Sequence, residues 1–147
     1  MMEAFLNDLC GGTLSEEQVR MMNPVKLAYI GDVVFELYVR LYVIHVEKRS
    51  VNLLNKKTVS FVNATAQAKV AKSLEEILTE EEWMVLKRGR NQKSLKPPKN
   101  ANIGDYKYAT GFESLLGYLY LMGQTDRVRE IVLHAIKLIE EPVDEVK

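Results

Sequence analysis

Residues 23–46 read NPVKLAYIGDVVFELYVRLYVIHV, and this stretch decides the fold. Asn23 carries the side chain of an N-cap, and Pro24 suits the first helical position, where its missing N–H costs nothing. The next interruption lies at Lys48–Ser50. The spacing therefore predicts one helix over Pro24–Val46, 23 residues and about 34 Å long. Sixteen of those residues are apolar. A helix that apolar must be buried on most of its sides, either centrally or at a subunit interface.

The pattern stays helical on both sides of it. Ser15 and Gln18 have the spacing of a capping box and open a short helix ending near Met22. Ser50 caps a helix carrying Val51, Leu53 and Leu54, and a further helix is expected over Thr58–Leu78. Thr79 caps a helix that opens on Glu80, Glu81 and Glu82 and ends near Arg90. Residues 91–105, with two prolines and a glycine, read as a loop. Asp105 or Tyr106 begins a second apolar helix running to Met122. Gly123 stops it, Thr125 caps, and Asp126–Glu140 is the last helix, ended by Pro142. With no alternating strand pattern, no repeat and no second domain, the expectation is all-α and one domain over residues 1–147.

Composition narrows the function. The chain has 147 residues, 47% apolar and 27% charged, which argues against disorder and against a fibre. Twenty basic residues balance twenty acidic ones, unlike a strongly basic nucleic-acid binder. The single cysteine, Cys10, excludes an internal disulfide and a cysteine zinc cluster, and His45 and His134 are too few for a His-rich metal site. Both histidines read as structural or surface residues. The most apolar run, Leu115–Met122, falls far short of the roughly 20 residues that span a bilayer. Glu3 and Asp8 do not suit a signal peptide. A soluble, cytoplasmic protein with a reduced thiol is expected.

Two acids stand out against this background. Between Leu27 and Val39 the only charges are Asp32 and Glu36, four apart and hence on one helix face among apolar neighbours. Glu113 is the only acid between Asp105 and Asp126, on a face with Tyr106, Ala109, Thr110 and Gly117. Burying a carboxylate is costly unless it is paired, hydrogen-bonded or metal-bound. Two apolar helices each carrying an isolated acid suggest a shared cation site, and oxygen ligands suit a hard ion such as Mg²⁺. The competing reading is a buried acid satisfied by Arg40, a tyrosine or the backbone.

Charge is also segregated along the chain. Lys87, Arg88, Arg90, Lys93, Lys96 and Lys99 fall in 13 residues without an acid, with Asn91 among them. Such a cluster on a proline-containing loop suits phosphate contacts, and Gly89 between two arginines would let backbone approach a sugar-phosphate closely. The alternative is a solvated loop partly neutralised by the acidic block Glu75, Glu76, Glu80, Glu81 and Glu82.

Taken together, Lys26–Arg40 resembles the signature helix of the ribonuclease III catalytic domain, and Tyr108–Leu121 resembles its second acidic helix. With Arg88-Gly-Arg-Asn91 and the basic loop between them, the chain looks specifically like the short Mini-ribonuclease III branch of that family, from about Asn23 to the end of the last helix. The resemblance implies an all-helical homodimer that cleaves double-stranded RNA with Mg²⁺ and lacks the separate double-stranded-RNA-binding domain of larger members. It implies a role in maturing the large-subunit ribosomal RNA precursor, with a ribosomal protein as a further partner, and no membrane. By that resemblance Asp32 and Glu113 are the catalytic and metal-holding residues. Glu36 and Thr110 lie just outside the ligand set, and the residues from Lys87 to Lys99 named above bind RNA. Larger members carry two further acids, at the positions of Ala28 and Thr110 here. Their loss motivates an alternative, a non-catalytic RNA-binding or ribosome-assembly module with the same fold. A helical homodimer serving as a protein-interaction scaffold is a third reading, motivated by the zero net charge.

Overall fold

A computed structural model describes residues 2–140. Its eight helices are α1 (Met2–Cys10), α2 (Glu16–Arg20), α3 (Pro24–Val46), α4 (Val51–Val62), α5 (Ala64–Ser73), α6 (Glu80–Arg90), α7 (Ile103–Leu121) and α8 (Thr125–Glu140), and no strand occurs among the described residues. The long helix α3 has the bounds its sequence predicts. Asn23 Oδ1 accepts from the Val25 N–H at 2.7 Å and Pro24 occupies the first turn. The expected capping box of Ser15 with Gln18 forms, and Thr79, expected as an N-cap, makes a capping box with Glu82 as well.

Three boundaries differ from the sequence expectation. The helix expected over Thr58–Leu78 does not exist as one piece: α4 runs on to Val62, and α5 starts at Ala64. Asn63 makes the break. Its Nδ2 donates to the carbonyls of Val59 and Ser60, while its Oδ1 accepts from the Ala66 N–H. One side chain thus closes one helix and opens the next, a use of asparagine's local bonding that hydrophobic spacing does not reveal. Helix α7 starts earlier than Asp105, because Asn102 accepts from the Asp105 N–H at 2.9 Å. Helix α1 was not expected at all. Pro142, expected to end the last helix, lies outside the described residues.

Helix α7 is the centre. Ten of its 19 residues are buried, and α3, α5 and α6 all pack on it. Phe112 meets Phe35 of α3 edge to face, ring centroids 5.0 Å apart. Two glycine pairs bring the backbones together. A Cβ on Gly31 would fall 1.8 Å from the Glu113 carbonyl oxygen, and one on Gly117 would fall 1.9 Å from that of Leu27. On the other side, a Cβ on Gly89 would lie 2.3 Å from Ser114 Oγ, and one on Gly111 would lie 2.6 Å from the Leu86 carbonyl oxygen. Only residues without side chains fit at such crossings. Gly89 therefore serves helix packing, and the expected role of sparing room for a sugar-phosphate is corrected: the residue is buried against α7.

Helix α3 is covered on one side only. Leu27, Gly31, Val34, Phe35, Val39 and Val43 face the core. The opposite stripe is open, with Tyr29 83% exposed, Val33 62%, Leu37 58%, Leu41 59% and Ile44 66%. A single chain of this size does not surround a helix that is apolar all round. Asp32 sits at the edge between the two sides and is exposed, which corrects its expected burial.

Candidate active site

The crossing that Gly31 and Gly117 tighten carries the two isolated acids. Gly31 precedes Asp32, and its close approach is to the Glu113 carbonyl itself, so helix register alone sets the two carboxylates side by side. Asp32 stands close enough to Glu113 for its charge to act on that carboxyl. Burial first and the Asp32 charge beside it second push the Glu113 carboxyl up to about 8, against the opposing effect of the Gln67 amide. Among the described residues neither acid has a Lys or Arg partner. These are two neighbouring carboxyls with no counter-ion, an arrangement that disfavours a second negative charge.

Both acids line one open hollow of about 300 Å³, with Val25, Ala28, Tyr29 and Val33 from α3 and Tyr106 and Thr110 from α7. The two positions at which larger ribonuclease III enzymes carry further acids, Ala28 and Thr110, thus border this hollow. Thr110 donates its hydroxyl proton to the Tyr106 carbonyl at 3.0 Å, leaving lone pairs only. Glu36 does not join. Its carboxylate is held by Arg40, Nε at 2.8 Å and an outer nitrogen at 2.6 Å, and it shares a neighbouring hollow with Asp32. The competing sequence reading, an acid satisfied by Arg40, is correct for Glu36.

The donor set suits one kind of divalent cation. Among the described residues no group of three or more His, Cys, Asp or Glu gathers anywhere. Two carboxylates without a counter-ion lack positive charge, and their oxygens suit a hard ion. The remaining positions around such an ion would be water, which Mg²⁺ keeps readily. The residues fit a hydrated hard cation and do not fit a dry protein cage.

The basic cluster lies next door. Leu95, from the loop between α6 and α7, lines the same hollow as Asp32 and Glu113, so Lys93 and Lys96 flank a residue seated at the site. Arg88, Asn91, Lys93, Lys96 and Lys99 are exposed, and Lys87 is partly buried over the Trp83 ring, 5.9 Å from its centre. Arg90 turns inward: it donates to Asn91 Oδ1 at 2.9 Å and to the Tyr108 hydroxyl at 3.3 Å, its guanidinium 5.2 Å from that ring. Lys72 of α5, which the sequence reading missed, lies 5.0 Å from the same ring. Two acids of the block, Glu81 and Glu82, are turned to other partners, and among the described residues no ion pair joins the block to the cluster. Glu82 pairs with Arg127 of α8 at 2.9 Å, and Glu81 accepts from Tyr118. His134 bonds Ser73 across α5 and α8 at 2.9 Å, and His45 is exposed; neither approaches the site.

Gln67 of α5 is a further residue beside Glu113. Its position fits the buried spacing through Phe61, Val70 and Leu74, so a polar residue on an apolar stripe was the available signal.

Residues 25–124 match the family model described as the ribonuclease III domain. The chain is 47% identical to the Mini-ribonuclease 3 of Clostridium tetani over 89% of this chain and 87% of that one. It is 34% identical to the Mini-ribonuclease 3 of Staphylococcus aureus, over 86% of this chain and 96% of the relative. A crystal structure of a protein from Fusobacterium nucleatum superposes with a TM-score of 0.72 at 30% identity, covering 81% of this chain and 95% of that chain.

Proposed function

The chain belongs to the ribonuclease III family and is an endoribonuclease, and from that premise we propose that it hydrolyses double-stranded RNA with Mg²⁺ held by Asp32 and Glu113. The observation that carries the reading is the pair of adjacent carboxylates without a counter-ion, in a hollow bordered by the basic loop. When bound, Mg²⁺ supplies an activated water and stabilises charge on the phosphate oxygens. Asp32, exposed at the rim, faces the substrate side, and Glu113, partly buried, anchors the inner side. Glu36 and Thr110 stay outside the ligand set and order the water around it. Lys87, Arg88, Arg90, Asn91, Lys93, Lys96 and Lys99 bind backbone phosphates along the duplex, so recognition is mainly of shape.

The open stripe of α3 pairs with a second copy, giving a two-fold homodimer in which each protomer cuts one strand. Its five large apolar side chains on one helix face form the kind of patch that marks an interface. Residues 1–147 act as one catalytic domain. No helix among the described residues is long and apolar enough to cross a membrane. The cytoplasm is its proposed setting, and the family resemblance gives the large-subunit ribosomal RNA precursor as substrate and a ribosomal protein as assisting partner. The presence of two acids in place of four favours the second reading, a binding module that leaves RNA intact.

One experiment separates them. Wild type, Asp32→Asn and Glu113→Gln are incubated with a long RNA duplex, with Mg²⁺ or with chelator, and the proteins are sedimented at micromolar concentration. Cleavage is expected only for wild type with Mg²⁺, with a loss of about 10²-fold or more in each variant while duplex binding and the dimer persist. A shifted but intact duplex with wild type would establish the binding module. Near wild-type cutting by either variant would refute the assigned site, and a monomer that cuts both strands would refute the pairing.

A further inference from the structure

The loop between α6 and α7 is tied down at its two ends. At its start the Gln92 N–H donates to the Gly89 carbonyl at 3.4 Å, and Gln92 Nε2 donates to that of Arg88 at 3.1 Å. At its return the Ala101 N–H donates to the Pro98 carbonyl at 3.1 Å, and Asn102 caps α7. Among the described residues no hydrogen bond ties residues 93–97 to either helix, and neither Lys93 nor Lys96 has an acidic partner. Pro97 and Pro98 have no N–H with which to make such a bond. Packing must hold the middle of the loop. Leu95 and Pro97 are half-buried there, while Lys93, Ser94 and Lys96 are exposed. Of these residues Leu95 alone lines the hollow of Asp32 and Glu113, together with Val25, Tyr29 and Val33 of α3.

A leucine at this place either fills the hollow or moors the loop at its edge. It does not fill it: about 300 Å³ stays open, and Asp32 remains exposed. Burial of an apolar side chain is favourable only while the loop stays in place, so Leu95 sets where the loop lies beside the acids. The lysines on either side of it need that. Phosphates gripped by a drifting loop would stand at no set distance from the carboxylates, and a misplacement of about 1 Å can cost about 10²-fold in rate. Resting on the duplex cleavage proposed above, we infer that Leu95 is a positioning residue for that reaction. It moors the basic loop at the carboxylate pair, so that backbone phosphates held by Lys93 and Lys96 are registered to Asp32 and Glu113.

The test compares full-length wild type with three variants. Leu95→Ser removes the apolar anchor without adding charge, Leu95→Met keeps it, and Lys93→Ala with Lys96→Ala removes the grip. Four quantities are measured: duplex affinity against salt, single-turnover cleavage at saturating protein, melting temperature, and the backbone amide order parameters of residues 93–96. In wild type those amides should be as ordered as the helices, about 0.85, and in Leu95→Ser they should fall below about 0.6. Leu95→Ser should keep its melting temperature and salt slope and lose roughly 10–100-fold in single-turnover rate, with Leu95→Met within about threefold of wild type. The lysine pair should instead lower the salt slope. Cleavage by Leu95→Ser at or above the wild-type rate overturns the inference. So does a weaker affinity with an unchanged single-turnover rate, which would make Leu95 part of the grip. Mobile loop amides in a wild type that cuts overturn it too. Should Leu95→Ser fail to fold, Leu95→Ala takes its place in the same measurements. If wild type leaves the duplex intact, the proposed activity itself fails and the inference falls with it, an outcome distinct from a cutting wild type matched by Leu95→Ser.

Discussion

Around α6, Ser114 Oγ of α7 donates at 2.8 Å to the Pro24 carbonyl of α3 and lies 2.9 Å from that of Thr110, Glu82 of α6 is held by Arg127 of α8, and Glu81 accepts from Tyr118 of α7. Where α3 crosses α7, Asp32 and Glu113 stand side by side with no basic side chain paired to either, and on the neighbouring α5 Gln67 Oε1 faces no donor. Both crossings are drawn tight by glycines. They differ in that polar groups are satisfied at one and left wanting at the other. Satisfied groups stabilise; unsatisfied ones cost stability unless something outside the chain completes them. The contrast teaches where this helix is scaffold and where it is site.

The sharpest way to break the comparison is at its glycines. Gly31→Ala drives a methyl into backbone that cannot yield, and a loss of more than about 3 kcal/mol and of all cleavage is expected. Gly89→Ala first meets the Ser114 side chain and then Gly111 Cα at 3.1 Å, so about 1–3 kcal/mol is expected, with cleavage retained in the folded fraction. Denaturant titration of both variants checks this; equal losses would show that the two crossings are equally rigid.

Next comes the satisfied ion pair. Burial alone would raise the Glu82 carboxyl, but hydrogen bonds from Arg127 and Thr79 outweigh it and hold the group below its ordinary range. A lowered carboxyl contributes stability above the unfolded value and loses it as pH falls through the folded one. Arg127→Met should therefore cost about 2 kcal/mol at pH 7, with the deficit narrowing below about pH 4.5. Thermal melts from pH 3 to 7 would expose the error if the deficit were independent of pH.

The smallest effect on the fold belongs to the loop. Arg88→Ala with Lys93→Ala should change stability by less than about 0.5 kcal/mol. The slope of duplex affinity against salt should fall by about 1 for each phosphate that is no longer neutralised. An unchanged slope would return the loop to a solvated role.

Much of this was legible in the sequence. The start of α3 follows from Asn23 and Pro24, because both act within one turn. The isolation of Asp32 and Glu113 was visible because apolar helices make a lone acid conspicuous. What escaped were relations between distant segments. Asn63 looks like any polar residue until its two ends are seen bonding two helices. Gln67 gives no sign that Glu113, 46 positions away, stands beside its amide. Arg127 could not be matched to Glu82, and the acidic block looked free to neutralise the loop.

The place of α7 in the chain has a consequence for biosynthesis. The helix that the others pack on is the seventh of the eight described, and it ends at Leu121. During translation α3 emerges long before it, with Leu27, Phe35, Val39 and Val43 facing a partner not yet made. At about 5–20 residues per second, the 75 residues from Val46 to Leu121 take roughly 4–15 s. For that interval the nascent chain carries both faces of a largely apolar helix uncovered, a window in which holdase chaperones and other nascent copies compete for it.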